Sequence, residues 1–252
     1  KSFNELDYIF GSSEVIFHFG AQLPLDDLVE GNQQSQQLFD TNIRSCLNLA
    51  EWASIRNIAI VFLSTAVVYK NPYSPRILED DSKVVSGCGG LYGYSKLLAE
   101  GIFNYWSENN LKCIILRPSS LYGYGLPSNK LIQSFLNIAA SGGELKVKGS
   151  GNQVNFIHAN DVSNAAWQAY LAEAWGVFNI SSDSTNSILD VAKIAISISK
   201  NGSISILDKS DNDNFIRFNL NSDSAKKYFA FKPLISLKSG MTMMKNKTVI
   251  FP

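Results

Sequence analysis

Tyr92 and Lys96 stand four residues apart in the run Tyr92-Gly93-Tyr94-Ser95-Lys96. On a helix, positions i and i+4 share a face, so the phenol and the ammonium would point the same way. The residues that follow support a helix: Leu97, Leu98, Ala99, Ile102, Phe103 and Trp106 are apolar at helical spacing. A neighbouring ammonium favours the phenolate, so the spacing predicts a tyrosine whose pKa is lowered toward working pH. Such a tyrosine can pass a proton to or from an alcohol or a carbonyl. The spacing alone is a weak signal, since a surface helix can carry one aromatic and one lysine by chance.

The elements that must position this pair are legible on either side of it. Val15-Ile16-Phe17-His18-Phe19 is a continuous apolar run that ends at Gly20-Ala21. Ile58 to Leu63 is a second such run, followed directly by Ser64-Thr65, and Cys113 to Leu116 is a third, ending at Arg117-Pro118. Continuous hydrophobicity suits strands buried on both faces of a parallel sheet. Between the first two strands, Leu38, Phe39, Asn42, Cys46, Leu49, Ala50 and Ala53 recur with helical spacing, after a polar stretch from Leu23 to Gln37 read as a loop entering that helix. Strand alternating with helix predicts a right-handed parallel α/β sheet. Ligands of such sheets bind at the carboxyl edge of the strands. Gly20-Ala21 would let a ligand approach the backbone there, Ser64 and Thr65 offer hydroxyls to a substrate oxygen, and Asn42 would orient a water or backbone group near the lysine.

Composition narrows the function classes. The chain has 252 residues, with 22 Lys+Arg balancing 22 Asp+Glu, so no basic excess points to nucleic acid. The longest apolar runs are strand-sized and too short to span a bilayer. Cys46, Cys88 and Cys113 have no paired or metal-ligand spacing and read as small apolar residues in a reducing compartment. His18 and His158 are far apart and read as packing residues, which argues against a His-based metal site and against a Ser-His-Asp hydrolase. Gly87-Cys88-Gly89-Gly90 follows no strand at the usual distance and is not read as a phosphate loop. Further helices are expected over Ser2–Phe10, Leu131–Ala140, Asp161–Ala172 (with Asp161 capping or starting it), Ser187–Ser199, Asp223–Tyr228 and Leu237–Met244, and short strands at residues 146–148, 156–158 and 177–180.

Taken in order, these segments resemble the extended short-chain dehydrogenases/reductases of the NAD-dependent epimerase/dehydratase group. Val15 to Gln22 resembles V-I-H-x-A-A, and Asn42 to Leu49 resembles N-V-x-G-T-x-N-L. Phe62 to Tyr69 resembles S-S-x-x-V-Y, Tyr92 to Lys96 resembles Y-G-x-S-K, and Arg117 to Gly125 resembles R-P-x-N-V-Y-G-P-G. Phe156 to Val162, Val177 to Ile180, Ala225 to Pro233 and Leu237 to Gly240 resemble the family's later elements. Each match is weak; the ordered set is strong.

The resemblance implies a Rossmann-like parallel sheet, here N-terminally truncated, with a small mixed α/β C-terminal lobe for substrate. The partial NAD(P)-binding domain would comprise residues 1–121 and 161–181, and the lobe residues 122–160 and 182–252. It implies NAD or NADP as cofactor, held by Phe19, Gly20, Ala21, Asn42, Ser64, Tyr92, Lys96, Pro118 and Ser119. Thr65, Tyr92, Lys96 and Asn42 would form the catalytic set, with Tyr92 taking a proton from a sugar hydroxyl while hydride passes to the nicotinamide. A nucleotide-linked sugar would be contacted by Thr65, Tyr92, Ser120, Asn155 and Arg217. A cytoplasmic homodimer is implied, with no metal, no nucleic acid and no membrane.

The chain departs from the family pattern in three places. The opening strand and G-x-x-G-x-x-G, which hold the pyrophosphate, are not in these residues. On the order of sixty residues, two βα units and a strand, are expected to precede them. Alone, the chain is expected to bind NAD poorly and to be inactive. Ala66 and Val67 occupy the positions where 4,6-dehydratases carry acids and 3,5-epimerases a cysteine, leaving 4-epimerisation or a one-way oxidation or reduction. The family's arginine before F-I-H-V has no counterpart, Asn155 standing there instead, and Arg217 is the remaining candidate for a diphosphate. The alternative is a non-catalytic NAD(P)-binding or scaffold protein on the same fold.

Overall fold

The computed structural model describes residues 2–23, 32–83, 89–207 and 215–247, the side chains of residues 32–34 excepted. Cys88 and part of the Leu23–Gln37 stretch lie outside the described residues. In chain order the elements begin α1 (Phe3–Phe10), β1 (Val15–His18), α2 (Asn32–Phe39), α3 (Ser45–Arg56), β2 (Ala59–Leu63), α4 (Gly90–Glu108) and β3 (Cys113–Pro118). They continue with β4 (Ser120–Tyr122), α5 (Leu131–Ala140), β5 (Glu144–Val147), β6 (Gln153–Val154), β7 (Phe156–His158), α6 (Ala159–Leu171) and β8 (Gly176–Ile180). The last are β9 (Asn186–Ser187), α7 (Ile188–Ser199), β10 (Ser203–Ile206), β11 (Ile216–Arg217), α8 (Asp223–Phe229) and α9 (Leu237–Lys245).

Residue contacts divide the chain into two units. The first comprises Lys1–Pro72, Glu79–Arg117 and Ala166–Asn179; the second comprises Tyr73–Leu78, Pro118–Ala165 and Ile180–Pro252. The first unit is built on the sheet β1-β2-β3-β8. β1 runs parallel to β2 with His18 opposite Phe62, and β2 parallel to β3 with Leu63 opposite Leu116. Side chains alternate between the faces of a strand. Ile16, Ile60, Phe62, Cys113, Ile115 and Val177 therefore point together, into a core completed by Leu6, Leu49, Trp52, Ala99 and Phe103 from α1, α3 and α4. Trp52 is fully buried, and its indole N–H donates to Asp7 at 2.8 Å. Truncating such a side chain to alanine typically costs about 3–5 kcal/mol. α3 stops at Asn57, which takes the left-handed conformation (φ 54°) that a short polar side chain tolerates. β2 starts two residues later.

The polar stretch before α3 differs from expectation. The helix begins at Asn32, and Asp40–Arg44 forms a π turn between α2 and α3. Such turns insert a residue and re-aim side chains, often at functional sites. This one carries Asn42.

The second unit has its own core, formed by α5, α7 and α9 over β5, with Phe135, Leu136, Leu145, Val191, Ala192 and Met241 buried. Ser187 caps α7 in a reciprocal box with Asp190. Asp161 is not a cap. It lies inside α6, and its carboxylate accepts the backbone N–H groups of Leu234 and Ile235 at 3.0 and 3.1 Å. Tyr73–Leu78 joins this unit through Ile77, which pairs with Leu220.

Candidate functional site

The carboxyl ends of β1 and β2 and the first turns of α4 carry the expected chemistry in the first unit. Lys96 is 3% exposed. Its ammonium donates to the Leu63 carbonyl at 2.8 Å and lies 4.6 Å from the centre of the Phe62 ring. Burial lowers its pKa to about 8, against the nearby Cys46 and Glu100, which raise it. Thr65, two residues beyond Leu63, is half-buried and extended. Its hydroxyl accepts the Val67 N–H at 3.4 Å and caps a short turn over Ala66–Val68. Val67 packs against the start of α4: a Cβ added at Gly89 would lie 2.7 Å from Val67 Cγ2, and one at Gly93 would lie 3.0 Å from the Val67 carbonyl. Two glycines thus let the Tyr92 turn approach the Thr65 turn closely.

Tyr92 corrects one expectation. Its half-buried phenol is pushed up to about 12 by desolvation, not lowered. The ammonium of Lys96 is spent on the Leu63 carbonyl and the Phe62 ring, so it does not offset the cost of a buried phenolate.

Asn42 is 3% exposed. Its side chain pairs with both backbone groups of Gln22, accepting the N–H at 2.8 Å and donating to the carbonyl at 3.0 Å. It also donates to Ser95 Oγ at 3.1 Å, and Ser95 donates to the Tyr92 carbonyl at 2.8 Å. Asn42 therefore orients backbone groups and ties the segment after β1 to the turn that bears Tyr92. Within that segment Phe19 and Ala21 are half-buried and Gly20 is exposed, with nothing among the described residues within 4 Å of where its Cβ would be. Among the described residues the edge of the sheet is open there.

Ser64 is 3% exposed, and its hydroxyl donates to Glu100. Glu100 is in turn gripped by Arg117, Nε at 3.0 Å and Nη2 at 2.7 Å. Arg117 also donates to the Tyr69 hydroxyl at 2.9 Å, and Tyr69 donates to Asn179 at 2.6 Å. Burial works against the Arg117 charge, but the bonds and charge of Glu100 hold its pKa above the ordinary value. The sequence reading passed over Glu100, Ser95 and Tyr69. The available signal was the i+4 step from Lys96 to Glu100 and a charge, Arg117, closing an apolar strand.

In the second unit, Asn155 is held within the protein. It is 1% exposed, and its amide is fully engaged. The oxygen accepts from Ser119 Oγ at 2.7 Å and Ser182 N at 3.1 Å; the nitrogen donates to the carbonyls of Ser182 and Ser184 at 2.8 and 3.3 Å. No valence is left for a substrate. Ser119 is likewise spent on Asn155, and Pro118 is buried. Ser120 is half-buried in β4. Arg217 lies with its guanidinium 4.8 Å from the Phe218 ring, and its Nε is buried with no hydrogen-bond partner among the described residues. His158 packs edge-on against Tyr122 at 5.1 Å, and its Nδ1 accepts the Asn160 N–H. No cluster of metal-binding side chains occurs among the described residues, and none of their helices is long and apolar enough to cross a membrane.

Comparison with known proteins bears on this geometry. The family model described as the NAD dependent epimerase/dehydratase family matches residues 3–181. The chain is 26% identical over 203 residues to a dTDP-D-glucose 4,6-dehydratase of Dictyostelium discoideum, covering 74% of this chain and 45% of that protein. It is 24% identical over 207 residues to a dTDP-4-dehydro-6-deoxy-D-allose reductase of Streptomyces bikiniensis, covering 76% and 61%. The chain thus spans about half the length of the curated relatives it matches. Among solved structures, the UDP-glucuronic acid 4-epimerase of Bacillus cereus in complex with NAD superposes with a TM-score of 0.80 at 19% identity, over 96% of this chain and 75% of that one.

Proposed function

The chain belongs to the NAD-dependent epimerase/dehydratase family, and we propose that within it the protein acts on a nucleotide-linked sugar, by 4-epimerisation or 4-keto reduction. The observation that carries this reading is the pinning of Lys96 to Leu63 at 2.8 Å, which sets Tyr92 and Lys96 on successive turns of α4 beside the β2 end that bears Thr65. The open edge at Gly20 and the buried cation of Lys96 fit the ribose–nicotinamide end of a dinucleotide. NAD(P), when bound, supplies the hydride acceptor or donor.

The chain's own residues handle the proton. Tyr92 removes it from the sugar hydroxyl, or returns it to the carbonyl, and Thr65 donates a hydrogen bond to the same oxygen. A phenol at about 12 is a weak base at neutral pH. It therefore stands ready to give its proton to a carbonyl, and would act as a base only with a bound positive charge beside it. Ala66 and Val67 offer no acid or base after Thr65, which supports epimerisation or reduction over elimination of water. Ser120 and Arg217 are the remaining candidates for sugar and diphosphate contacts. Leu47 and Ile55 on α3, with Leu98 and Tyr105 on α4, are exposed apolar residues on two adjoining helices. They support a homodimer formed through those helices.

The Thr65 hydroxyl accepts the Val67 N–H, which leaves its proton free to donate to the reacting oxygen; the alternative is a non-catalytic protein on the same fold. The test is product analysis. Full-length protein is incubated with NAD(P) and a panel of UDP- and dTDP-linked hexoses and their 4-keto forms, and the sugars are followed by NMR. A 4-epimer or a 4-reduced product is expected. A 4-keto-6-deoxy product would replace the proposal with a dehydratase, and cofactor binding without turnover would support the non-catalytic reading.

A further inference from the structure

Helix α4 carries a third polar side chain one turn beyond Lys96. Glu100 follows Lys96 by four residues and is 1% exposed. It takes no part in the proton transfer described above. Its carboxylate accepts the Ser64 hydroxyl and two N–H groups of Arg117. Ser64 stands between Leu63, whose carbonyl is held by Lys96, and Thr65. Successive turns of α4 thus grip successive residues of one segment: Lys96 holds Leu63, Glu100 holds Ser64, and Thr65 comes next. Arg117 is itself fixed by the Tyr69 hydroxyl and, at 2.8 Å, the Glu79 carbonyl.

We propose that Glu100 is a positioning residue: clamped by Arg117 and Ser64, its carboxylate sets the Thr65 segment against the Tyr92–Lys96 turns and supplies the negative charge that keeps the Lys96 ammonium protonated. Its meaning for catalysis rests on the function proposed above.

Lys96 is surrounded by His18 from β1, Cys46 from α3, the Leu63 carbonyl and Phe62 ring of β2, and Glu100 on its own helix, with Tyr92 one turn before it; Cys113 of β3 lies beside Cys46 and Glu100. Burial keeps His18 neutral, with its pKa lowered to about 4, and raises Cys46 to about 11 and Tyr92 to about 12. Cys113 is raised further still, again by burial. Glu100, paired with the Arg117 guanidinium at 2.7 Å, is the carboxylate of this group. Glu100 in turn faces Arg117, Ser64 and Lys83.

The test reads the ammonium directly. Full-length protein carrying 13C-labelled lysine is titrated by NMR without substrate, with Lys96 assigned by its loss in Lys96→Met. In Glu100→Gln the Lys96 midpoint is expected to fall by about one pH unit, and the alkaline limb of turnover to move down with it. Glu100→Asp, which keeps the charge, is expected to restore most of the midpoint. An unchanged midpoint in folded Glu100→Gln overturns the proposal. Should that variant fail to fold, Glu100→Leu combined with Arg117→Met removes both charges together, a change that buried pairs often tolerate. A smaller fall in the same direction is then expected, because the Arg117 charge goes with that of Glu100, and an unchanged midpoint would overturn the proposal. Absence of turnover in the wild type would remove the enzymatic reading alone, because the midpoint is measured without substrate.

Discussion

Two charges are buried one helical turn apart on α4, and they are held in opposite ways. Glu100 is 1% exposed and meets a counter-charge in bidentate geometry, a hydroxyl, and an arginine that is itself braced. Lys96 is 3% exposed and, among the described residues, meets a neutral carbonyl and an aromatic face at hydrogen-bonding or stacking distance. A buried charge with a full set of partners is locked, whereas one with few partners shifts its pKa toward neutrality. The locked charge keeps the helix in register with β2, and the poised one remains able to respond to a ligand.

The contrast can be broken by exchanging the roles. Lys96→Met in full-length protein is expected to reduce turnover by roughly two to four orders of magnitude, while its urea midpoint stays near or above that of the wild type. A large loss of stability there would mean that Lys96 is structural. Arg117→Met should do the reverse to the fold. It leaves Glu100 buried without its partner, and removing one member of a buried pair typically costs about 3–5 kcal/mol; chemical denaturation reads this directly. If Arg117→Met and Lys96→Met cost the same, the distinction between locked and poised fails.

A pH series sharpens the comparison. Lys96 has a folded pKa of about 8 against an ordinary 10.5. Between those values the unfolded chain holds a proton that the native state releases, so this residue makes stability rise with pH. The wild type should therefore gain on Lys96→Met by about 3 kcal/mol between pH 8 and 10.5. Comparing the two proteins cancels the opposite slope contributed by the raised phenols and thiols. A gap that does not change with pH would show that Lys96 is not desolvated. The smallest effect is expected at Ser95→Ala, which cuts the link between Asn42 and the Tyr92 carbonyl at a cost of about 1 kcal/mol. Thermal unfolding would detect it, and a cost of several kcal/mol would mean that the link carries more of the fold than its two hydrogen bonds explain.

The strands of the first unit and α4 were legible because buried parallel strands and amphipathic helices write their periods into adjacent residues. The spacing of Tyr92 and Lys96 was legible for the same reason. What failed were properties set by distant neighbours. The π turn at Asp40–Arg44 interrupts residues that read as one regular helix, and α2 begins inside the polar stretch that reads as loop. β4, β6, β9 and β11 are two or three residues long and exist through pairing with remote segments. Asn155 and Ser64 have the side chains of ligand contacts, yet Ser182 and Glu100, remote in sequence, consume their hydrogen-bonding groups. The direction of the Tyr92 shift depended on where the Lys96 ammonium points, and an i+4 spacing leaves that open. Asp161 reads as a cap until the chain near residue 234 returns to it.

The central claim is that Tyr92 moves the proton. The most direct measurement is turnover of Tyr92→Phe beside wild type, in full-length protein with NAD(P) bound and on whichever nucleotide sugar the panel identifies. Phenylalanine keeps the ring and its packing and removes only the hydroxyl. The account predicts retained cofactor binding and a turnover lower by roughly two or more orders of magnitude. Turnover within a few-fold of the wild type would contradict it.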